Sequence, residues 1–567
     1  MGTLPLTPQQ RHAVTTSGHS VIVSAAAGSG KTAVLAERYA HLICDLPADQ
    51  RANVDQLLVL TFTDAAAAEM RGRIEETLHT RLQTDPENRR LREQIALLDA
   101  AHISTVHSFC HWLIRRWFNE AGLDPTTSVL DADEAALLKR ETLAGLFDQL
   151  YQQVETTAPP GSKQEPDLSQ ATGREHLSIA VNPEVEQNSL LCSGVSPAEG
   201  LRGYGNPRGL KPAARNAGAG TALAAGFNEL VEVYGLGEDR DVATLVLQLH
   251  DFVASLPDPD GWLEDAWAIV AKPQARALPK LEVDLERELT WQIEYCELAT
   301  ARAEAVGQVG QHYATQIQDY VERLREWRTT LQQINADHST TDVRTDEAPT
   351  VLGRYETVRH NISEFAFNSA QGPRLAKGTD PAITRARDRA RQELTAVKDH
   401  LFQDRLKKRF ALFSVDEWVE GLEFVAPFIA TIADLVTAFR NAYSAEKRKL
   451  TTLDFSDLER FAFDLLHRAD TSDQASDVAR ALQCRFAYVL VDEFQDINPI
   501  QHEIIRLASR EAGDLPNNLF VVGDVKQSIY RFRLAEPTVF AHRHDAFREA
   551  TCADEAIALQ ANFRSRP

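Results

Sequence analysis

Two groups of residues in this sequence have the types and spacing needed for chemistry. The first is Ser20-Val-Ile-Val-Ser-Ala-Ala-Ala-Gly-Ser-Gly-Lys-Thr32, a β-branched apolar run that enters a glycine-rich turn and then a helix-forming stretch. That is the pattern of a phosphate-binding loop. Its backbone N–H groups wrap a β-phosphate, its lysine reaches the β and γ oxygens, and its hydroxyl ligates magnesium. Gly28 and Gly30 supply backbone freedom, Lys31 the charge and Thr32 the metal ligand, while Ala25, Ala26, Ala27 and Ser29 complete the cradle. The expected ligands are ATP and Mg2+. The first glycine of the general pattern is Ala25 here.

The second group is Phe486-Ala-Tyr-Val-Leu-Val-Asp-Glu-Phe-Gln-Asp496, an apolar strand ending in adjacent acids. Asp492 at the strand tip is placed to hold magnesium, and Glu493 to polarise an attacking water. Phosphoryl transfer to water needs this division between holding metal and orienting the nucleophile. Two acids at a strand end are also a common solvated turn; the phosphate loop is what favours catalysis. The strands carrying Lys31 and Asp492 are expected to be neighbours, with a large insertion accounting for their separation in sequence.

Elements that could position these groups recur at both ends of the chain. Ser20–Ser24, Leu57–Thr63, Ala487–Asp492 and Leu519–Asp524 read as buried parallel strands. Helical apolar spacing follows three of them, at Ala33–Ile43, Ala65–Leu78 and Pro499–Leu507. This repetition predicts an α/β fold with a doubly wound parallel sheet, whose ligands bind beyond the C-terminal strand ends. Between Asp131 and about Leu450 strand signals are few, and stretches such as His312–Gln333 and Leu394–Ala411 read as long amphipathic helices. We therefore expect a discontinuous ATP-binding domain, 1–130 with 450–567, interrupted by a helical insertion domain at 131–449. Within it, Ala158 to about Gly226 is dense in Gly, Pro, Ser and Ala without a sustained period, which predicts a disordered insertion.

Composition sets wider bounds. The chain of 567 residues is 43% hydrophobic and 25% charged, with a formal charge of −22. That charge opposes phosphate binding only weakly, because a groove needs local positive charge and the acidic surplus can lie elsewhere. No apolar run approaches the length of a bilayer span, so no membrane association is expected. The N-terminus lacks a basic segment followed by an apolar stretch. Cys44, Cys110, Cys192, Cys296, Cys484 and Cys552 show no paired metal-ligand spacing, so a reduced cytoplasmic protein without zinc or iron–sulfur is expected.

Asp492-Glu-Phe-Gln-Asp496 after its strand resembles the Walker B motif of UvrD-like superfamily 1 DNA helicases, and other motifs follow in that family's order. Leu6-Thr-Pro-Gln-Gln-Arg-His-Ala-Val14 resembles the Q motif, which implies that Gln10 reads adenine. Alanine at position 25 is familiar in this family. Leu60-Thr-Phe-Thr-Asp64 resembles motif Ia, with Asp64 in place of the usual asparagine, and Ile103-Ser-Thr-Val-His-Ser-Phe109 resembles motif Ib. Val521-Val-Gly-Asp-Val-Lys-Gln-Ser-Ile-Tyr-Arg-Phe-Arg533 resembles motif III, and Gln560-Ala-Asn-Phe-Arg564 the start of motif IV. The wording of motif III through Pro537, together with Leu453-Asp-Phe-Ser-Asp-Leu-Glu459, is similar to AddA-type helicase–nucleases. Segments near Leu230–Tyr234 and His250–Trp262 resemble that type's helical subdomain; about 155–226 has no counterpart in it.

The resemblance implies a RecA-like domain with a helical insertion, and an ATP-dependent 3′–5′ DNA helicase of double-strand break repair and recombination. Its partners would be single- and double-stranded DNA and an AddB-type second subunit. Gln527 would sense the γ-phosphate and Arg564 would add positive charge, both stabilising charge on the transferring group. Phe62, Tyr530 and Phe532 would stack on bases, with core packing as the alternative for each. Thr63, Thr105 and His107 are candidate DNA contacts, against a histidine satisfied by a backbone carbonyl. Arg533 would bind phosphate or form an ion pair. Motion on DNA needs a second RecA-like wall, and the sequence stops at Pro567, just after the motif IV residues. The expectation is a truncated motor half that binds ATP without robust unwinding, and that carries no nuclease segment. The competing readings are an ATP-dependent switch or loader, or an inactive fragment.

Overall fold

Valine, isoleucine, leucine and phenylalanine alternate between the two faces of one sheet. In the computed structural model, residues 6–561 are described apart from 27, 49, 158–218, 333–348, 368–371, 373–374, 377–378, 469–474, 514, 529–533, 549–553 and 560. The strands are β1 (Val21–Ala25), β2 (Leu57–Thr61), β3 (His102–Thr105), β4 (Ser128–Val129), β5 (Thr452–Leu453), β6 (Tyr488–Val491), β7 (Leu519–Gly523) and β8 (Glu555–Leu559). Six of them form one parallel sheet in the order β3-β2-β6-β7-β1-β8, while β4 and β5 pair separately.

Ile22, Leu58, Leu60, Val489, Val491, Leu519 and Val521 face one core, with the helices Val106–Arg116, Phe455–Leu466, Asp477–Arg485 and Pro499–Ala508. Val21, Val23, Leu57, Val59, Leu490, Phe520 and Val522 face the other, with Lys31–Cys44 and Asp64–Thr84. The period of two along each strand and helices on both faces make this the doubly wound α/β sheet. The expected strands are present within one or two residues at each end.

Three expectations are corrected. The strands bearing Lys31 and Asp492 are not neighbours, because β7 lies between β1 and β6. Strands sit about 4.8 Å apart, so the two sites are one strand removed, a gap that an extended lysine side chain crosses. Residues 219–226, expected to be disordered, begin the helix Ala219–Val233; the rest of that stretch, 158–218, lies outside the described residues. Third, the helix Val415–Leu450 is long and apolar enough to cross a membrane by length and composition. Glu423 and Asp434 interrupt its apolar run in the sequence, which is why no span is evident there.

The chain divides into two compact units. The second takes in 263–433 and is built from the helices Pro273–Glu304, Gln308–Gln332 and Pro381–Thr395 with the π-helical stretch Ala396–Ala411, around Leu285, Ile317, Tyr320, Phe402 and Phe410. It begins well inside the 131–449 stretch. The helices Ala132–Thr157, Ala219–Val233 and Asp239–Ala254 belong to the unit that holds the sheet. Lys139 pairs with Asp251 at 2.6 Å, Ile500 N donates to Ser255 O at 2.9 Å, and Arg460 donates to Pro257 O at 2.7 Å. The last two contacts tie the segment through residue 257 to the helices packed under the sheet.

Candidate nucleotide and nucleic-acid site

Strand β1 ends at Ala25, buried against β7 and β8, and the chain turns into the helix Lys31–Cys44. Gly30 is the N-cap of that helix with φ +85°, in the left-handed region where a side chain is strained. A Cβ there would also lie 3.0 Å from Gln10 Nε2. No side chain caps the helix, so its first amides and positive dipole end stay open toward an anion. Ser29 is buried and its Oγ has no hydrogen-bond partner among the described residues. An orphaned hydroxyl beside open amides and a glycine in the left-handed region fits a phosphate chain.

Gln10 is buried and joins the first helix, Pro8–Thr15, to this loop. Its Nε2 donates to Ser29 O at 2.9 Å, and its Oε1 accepts from Thr7 N at 2.9 Å, closing a capping box with Thr7. One amide hydrogen and one lone pair remain for a base edge. Buried Arg38 fastens the same helix from its other end, donating to Ala13 O at 2.8 Å and Thr16 O at 2.7 Å over the Phe520 ring. Ala26 is exposed on the loop, Gly28 and Thr32 are half-buried, and Ala27 lies outside the described residues.

Strand β6 delivers the acids to the same edge. Lys31 Nζ donates to Glu493 Oε2 at 2.6 Å, so the phosphate-loop lysine meets Glu493 across the width of β7. Glu493 has φ +48°, a non-glycine residue in the left-handed region. Such strain persists only where neighbours enforce it, and it concentrates at functional sites. Asp492 is 7% exposed, and its carboxyl is pushed up to about 6, by burial first and then by Glu493. Asp496 is pushed up to about 6 for the same reasons in the same order. Three carboxylates against one lysine leave an excess of buried negative charge, which a divalent cation would relieve. Among the described residues no group of three or more His, Cys, Asp or Glu could hold a metal by itself.

Gln495 has no role assigned from the sequence, yet it links this centre to the next motif. Nearly fully buried, it donates through Nε2 to Glu493 Oε2 at 2.9 Å and Asp496 Oδ2 at 3.0 Å, and its Oε1 accepts from Asp524 N at 2.8 Å. Asp524 follows β7, and its Oδ2 accepts from Gln527 Nε2. Gln527 therefore stands at the same sheet edge, with its amide oriented by Asp524. Arg564, Tyr530, Phe532 and Arg533 lie outside the described residues.

The DNA-contact candidates separate. Phe62 is half-buried just beyond β2, and Thr63 is exposed, with its Oγ1 accepting from Ala66 N at 3.1 Å as the cap of Asp64–Thr84. Asp64 occupies the first turn of that helix, where a negative charge complements the dipole; this gives the acid a structural reason at that position. Thr105 is placed differently from expectation. It is 6% exposed and its hydroxyl is committed to capping Val106–Arg116, accepting from Ser108 N at 3.2 Å and donating to Ser108 Oγ at 2.9 Å. His107 is half-exposed and pairs not with a carbonyl but with buried Glu459, at 2.9 Å, its ring against Phe455.

Glu459 also accepts from Asn498 Nδ2 at 3.0 Å and Gln501 Nε2 at 2.6 Å. Asn498 and Gln501 form the capping box of Pro499–Ala508, the helix that follows the acids. One buried carboxylate thus joins the motif Ib histidine to the segment carrying Glu493. The Asn-x-x-Gln spacing is readable as a helix start; its partner in Glu459 is not.

A family model described as UvrD/REP helicase N-terminal domain matches residues 6–548. Similar proteins include three that are each named as the A subunit of an ATP-dependent helicase/nuclease. That of Moorella thermoacetica is 32% identical over 573 residues, covering 99% of this chain and 34% of the relative. Those of Anoxybacillus flavithermus and Geobacillus thermodenitrificans are each 30% identical over 581 and 576 residues, covering 99% of this chain and 39% and 38% of the relatives. The chain therefore spans little more than a third of the length of these relatives. With almost every described residue inside the family match, the protein belongs to the UvrD/REP helicase family through its N-terminal domain.

Proposed function

We propose that this chain is the ATP-binding half of an ATP-dependent DNA helicase that moves 3′ to 5′ on single-stranded DNA in double-strand break repair and recombination. On this reading it is cytoplasmic and works with a second protein of the AddB type, in accord with the names of its relatives, which imply a multi-subunit enzyme. The observation that carries the proposal is the meeting of Lys31 and Glu493 at 2.6 Å at the C-terminal edge of the sheet, beside an open helix N-terminus.

The loop amides of residues 25–32 and Lys31 would hold the phosphates of ATP, Thr32 and Asp492 the magnesium, and Gln10 the adenine edge. The bound group supplies a phosphoanhydride to be cleaved and a cation that neutralises it. What the chain contributes is a held pair of opposite charges: while Lys31 engages Glu493, the carboxylate is masked. Release of that pair leaves Glu493 Oε2 fixed by Gln495 and able to accept a proton from water. Gln495 and Asp524 orient Gln527 toward the same edge, and Arg564 would add positive charge there. Phe62, Thr63, His107, Tyr530 and Phe532 are the proposed DNA contacts. ATP hydrolysis with and without single-stranded DNA tests the reading. Stimulation by DNA that is lost in Lys31→Ala is expected, and hydrolysis indifferent to DNA would overturn the motor assignment.

A further inference from the structure

The helix Val106–Arg116 starts at the motif Ib residues and carries a second feature farther along. Ser108, His111, Trp112, Arg115 and Arg116 line a cleft of about 440 Å³. Arg115 and Arg116 are exposed, and neither makes an ion pair with a carboxylate among the described residues. A third arginine, Arg485, arrives from the end of Asp477–Arg485 and stacks over Trp112 at 5.4 Å, bonded to His102 at 2.9 Å and likewise to no carboxylate among the described residues. In a chain with 82 acidic and 60 basic residues, three neighbouring arginines with no acidic partner among the described residues run against the composition. His111 is held below the usual histidine range, by burial first and by the Arg115 charge second.

Trp112 is the rigid floor of this cleft. Its ring meets His102 at 4.8 Å, Phe109 at 5.8 Å and Trp117 at 6.0 Å. Arg116 lies over Trp117 at 5.2 Å. Arginines in the last turn of a helix do complement its dipole. That role leaves unexplained why Arg485, on a different helix, converges on the same tryptophan. Guanidinium groups beside exposed or half-buried indoles suit a phosphodiester chain, which offers anionic oxygens to the forks and a sugar or base to a ring. From His107 to Arg115 the helix rises about 12 Å, carrying the cleft from the motif Ib residues toward His102 and Arg485, where β3 and β6 begin.

We propose that the cleft lined by Trp112, Arg115 and Arg116, with Arg485 stacked over Trp112, binds the sugar–phosphate backbone of DNA, as a second contact beyond the motif Ib residues. The proposal rests on the reading of the chain as a DNA motor. The phosphates could come from the single strand or from the duplex ahead of it, and the test separates the two.

The 567-residue chain is titrated by fluorescence anisotropy against a labelled mixed-sequence single strand and, separately, against the blunt duplex of that sequence, across a salt series. For R115A/R116A the slope of log affinity against log salt should fall in magnitude by about 1.4 if the ligand is the single strand, or about 1.8 if it is duplex. The arm that changes identifies the source. R115K/R116K, which keeps both charges, should retain most of the slope. Thermal melting of the alanine pair should match the wild type; if it does not, R115Q/R116Q reads the same slope. Wild-type binding whose slope is unchanged in every neutral pair, in both arms, would overturn this cleft while leaving the motor reading intact. Absence of wild-type DNA binding in both arms would overturn both.

Discussion

Asp492 makes the proposed metal site costly to the empty fold, and the cost can be measured. Its carboxyl sits at about 6 rather than the ordinary 3.8, through burial and then the charge of Glu493. Because the folded value lies above the unfolded one, the stability linked to this group is complete below about pH 3.8 and is lost as pH rises through about 6. At pH 7.5 the ionised side chain costs the fold about 3 kcal/mol, and at pH 4.5 about 1 kcal/mol, taking about 1.4 kcal/mol per tenfold. Asp492→Asn keeps an acceptor for the Glu493 amide, which donates to Asp492 Oδ1 at 3.0 Å, and removes the charge. The variant should therefore be more stable than wild type at pH 7.5, and its advantage should shrink by about 2 kcal/mol at pH 4.5. With about 2.1 cal/mol/K per residue over roughly 380 residues of the sheet-bearing unit, 3 kcal/mol corresponds to a Tm gain of about 4 °C. The assay is circular dichroism melting in EDTA at both pH values, with Mg2+-dependent hydrolysis expected to be lost in the same variant. A Tm gain of equal size at both pH values, or a loss at pH 7.5, would refute the reasoning.

Other substitutions probe the neighbouring residues. Glu493→Gln should lower ATP turnover by about 10²–10⁴-fold while nucleotide binding is kept, as measured by phosphate release and by a fluorescent ATP analogue. Gly30→Ala places a methyl against Gln10 at a backbone φ of +85°. It should cost about 1–3 kcal/mol, read by urea unfolding, and weaken nucleotide affinity together with stability. Glu459→Ala strands the buried amides of Asn498 and Gln501 and should destabilise by about 3 kcal/mol, whereas Glu459→Gln, which keeps an acceptor, should lose visibly less in the same urea titration.

What is legible in the sequence is what depends on neighbours in the chain. The turn from β1 into Lys31–Cys44 is written in Gly28–Thr32, and the acids at the end of β6 follow their apolar run without interruption. Strand order is not local information. Nothing near Lys31 or Asp492 tells that β7 lies between their strands, and β3 (His-Ile-Ser-Thr) and β8, which opens on Glu555, lack the continuous apolar run by which the other strands are read. Thr105 shows the same limit on the scale of one side chain. A threonine before a helix is equally a cap and a ligand donor, and only burial assigns it to the cap.

The residues left without a role in the sequence, Gln495 and Glu459, share a property that explains the omission. Each is buried and acts by joining segments distant in sequence: Gln495 ties Glu493 to Asp524, and Glu459 ties His107 to Asn498 and Gln501. Both connections end on the run from 492 to 501, which carries the acids at its start and a helix cap at its close. On the proposed reading of His107 as a DNA contact, its displacement would load Glu459 and, through Asn498, the run that begins with Glu493 in its left-handed conformation. Coupling of a DNA contact to ATP chemistry asks for a short strained segment gripped at both ends, and in this fold the segment from Asp492 to Gln501 meets that description.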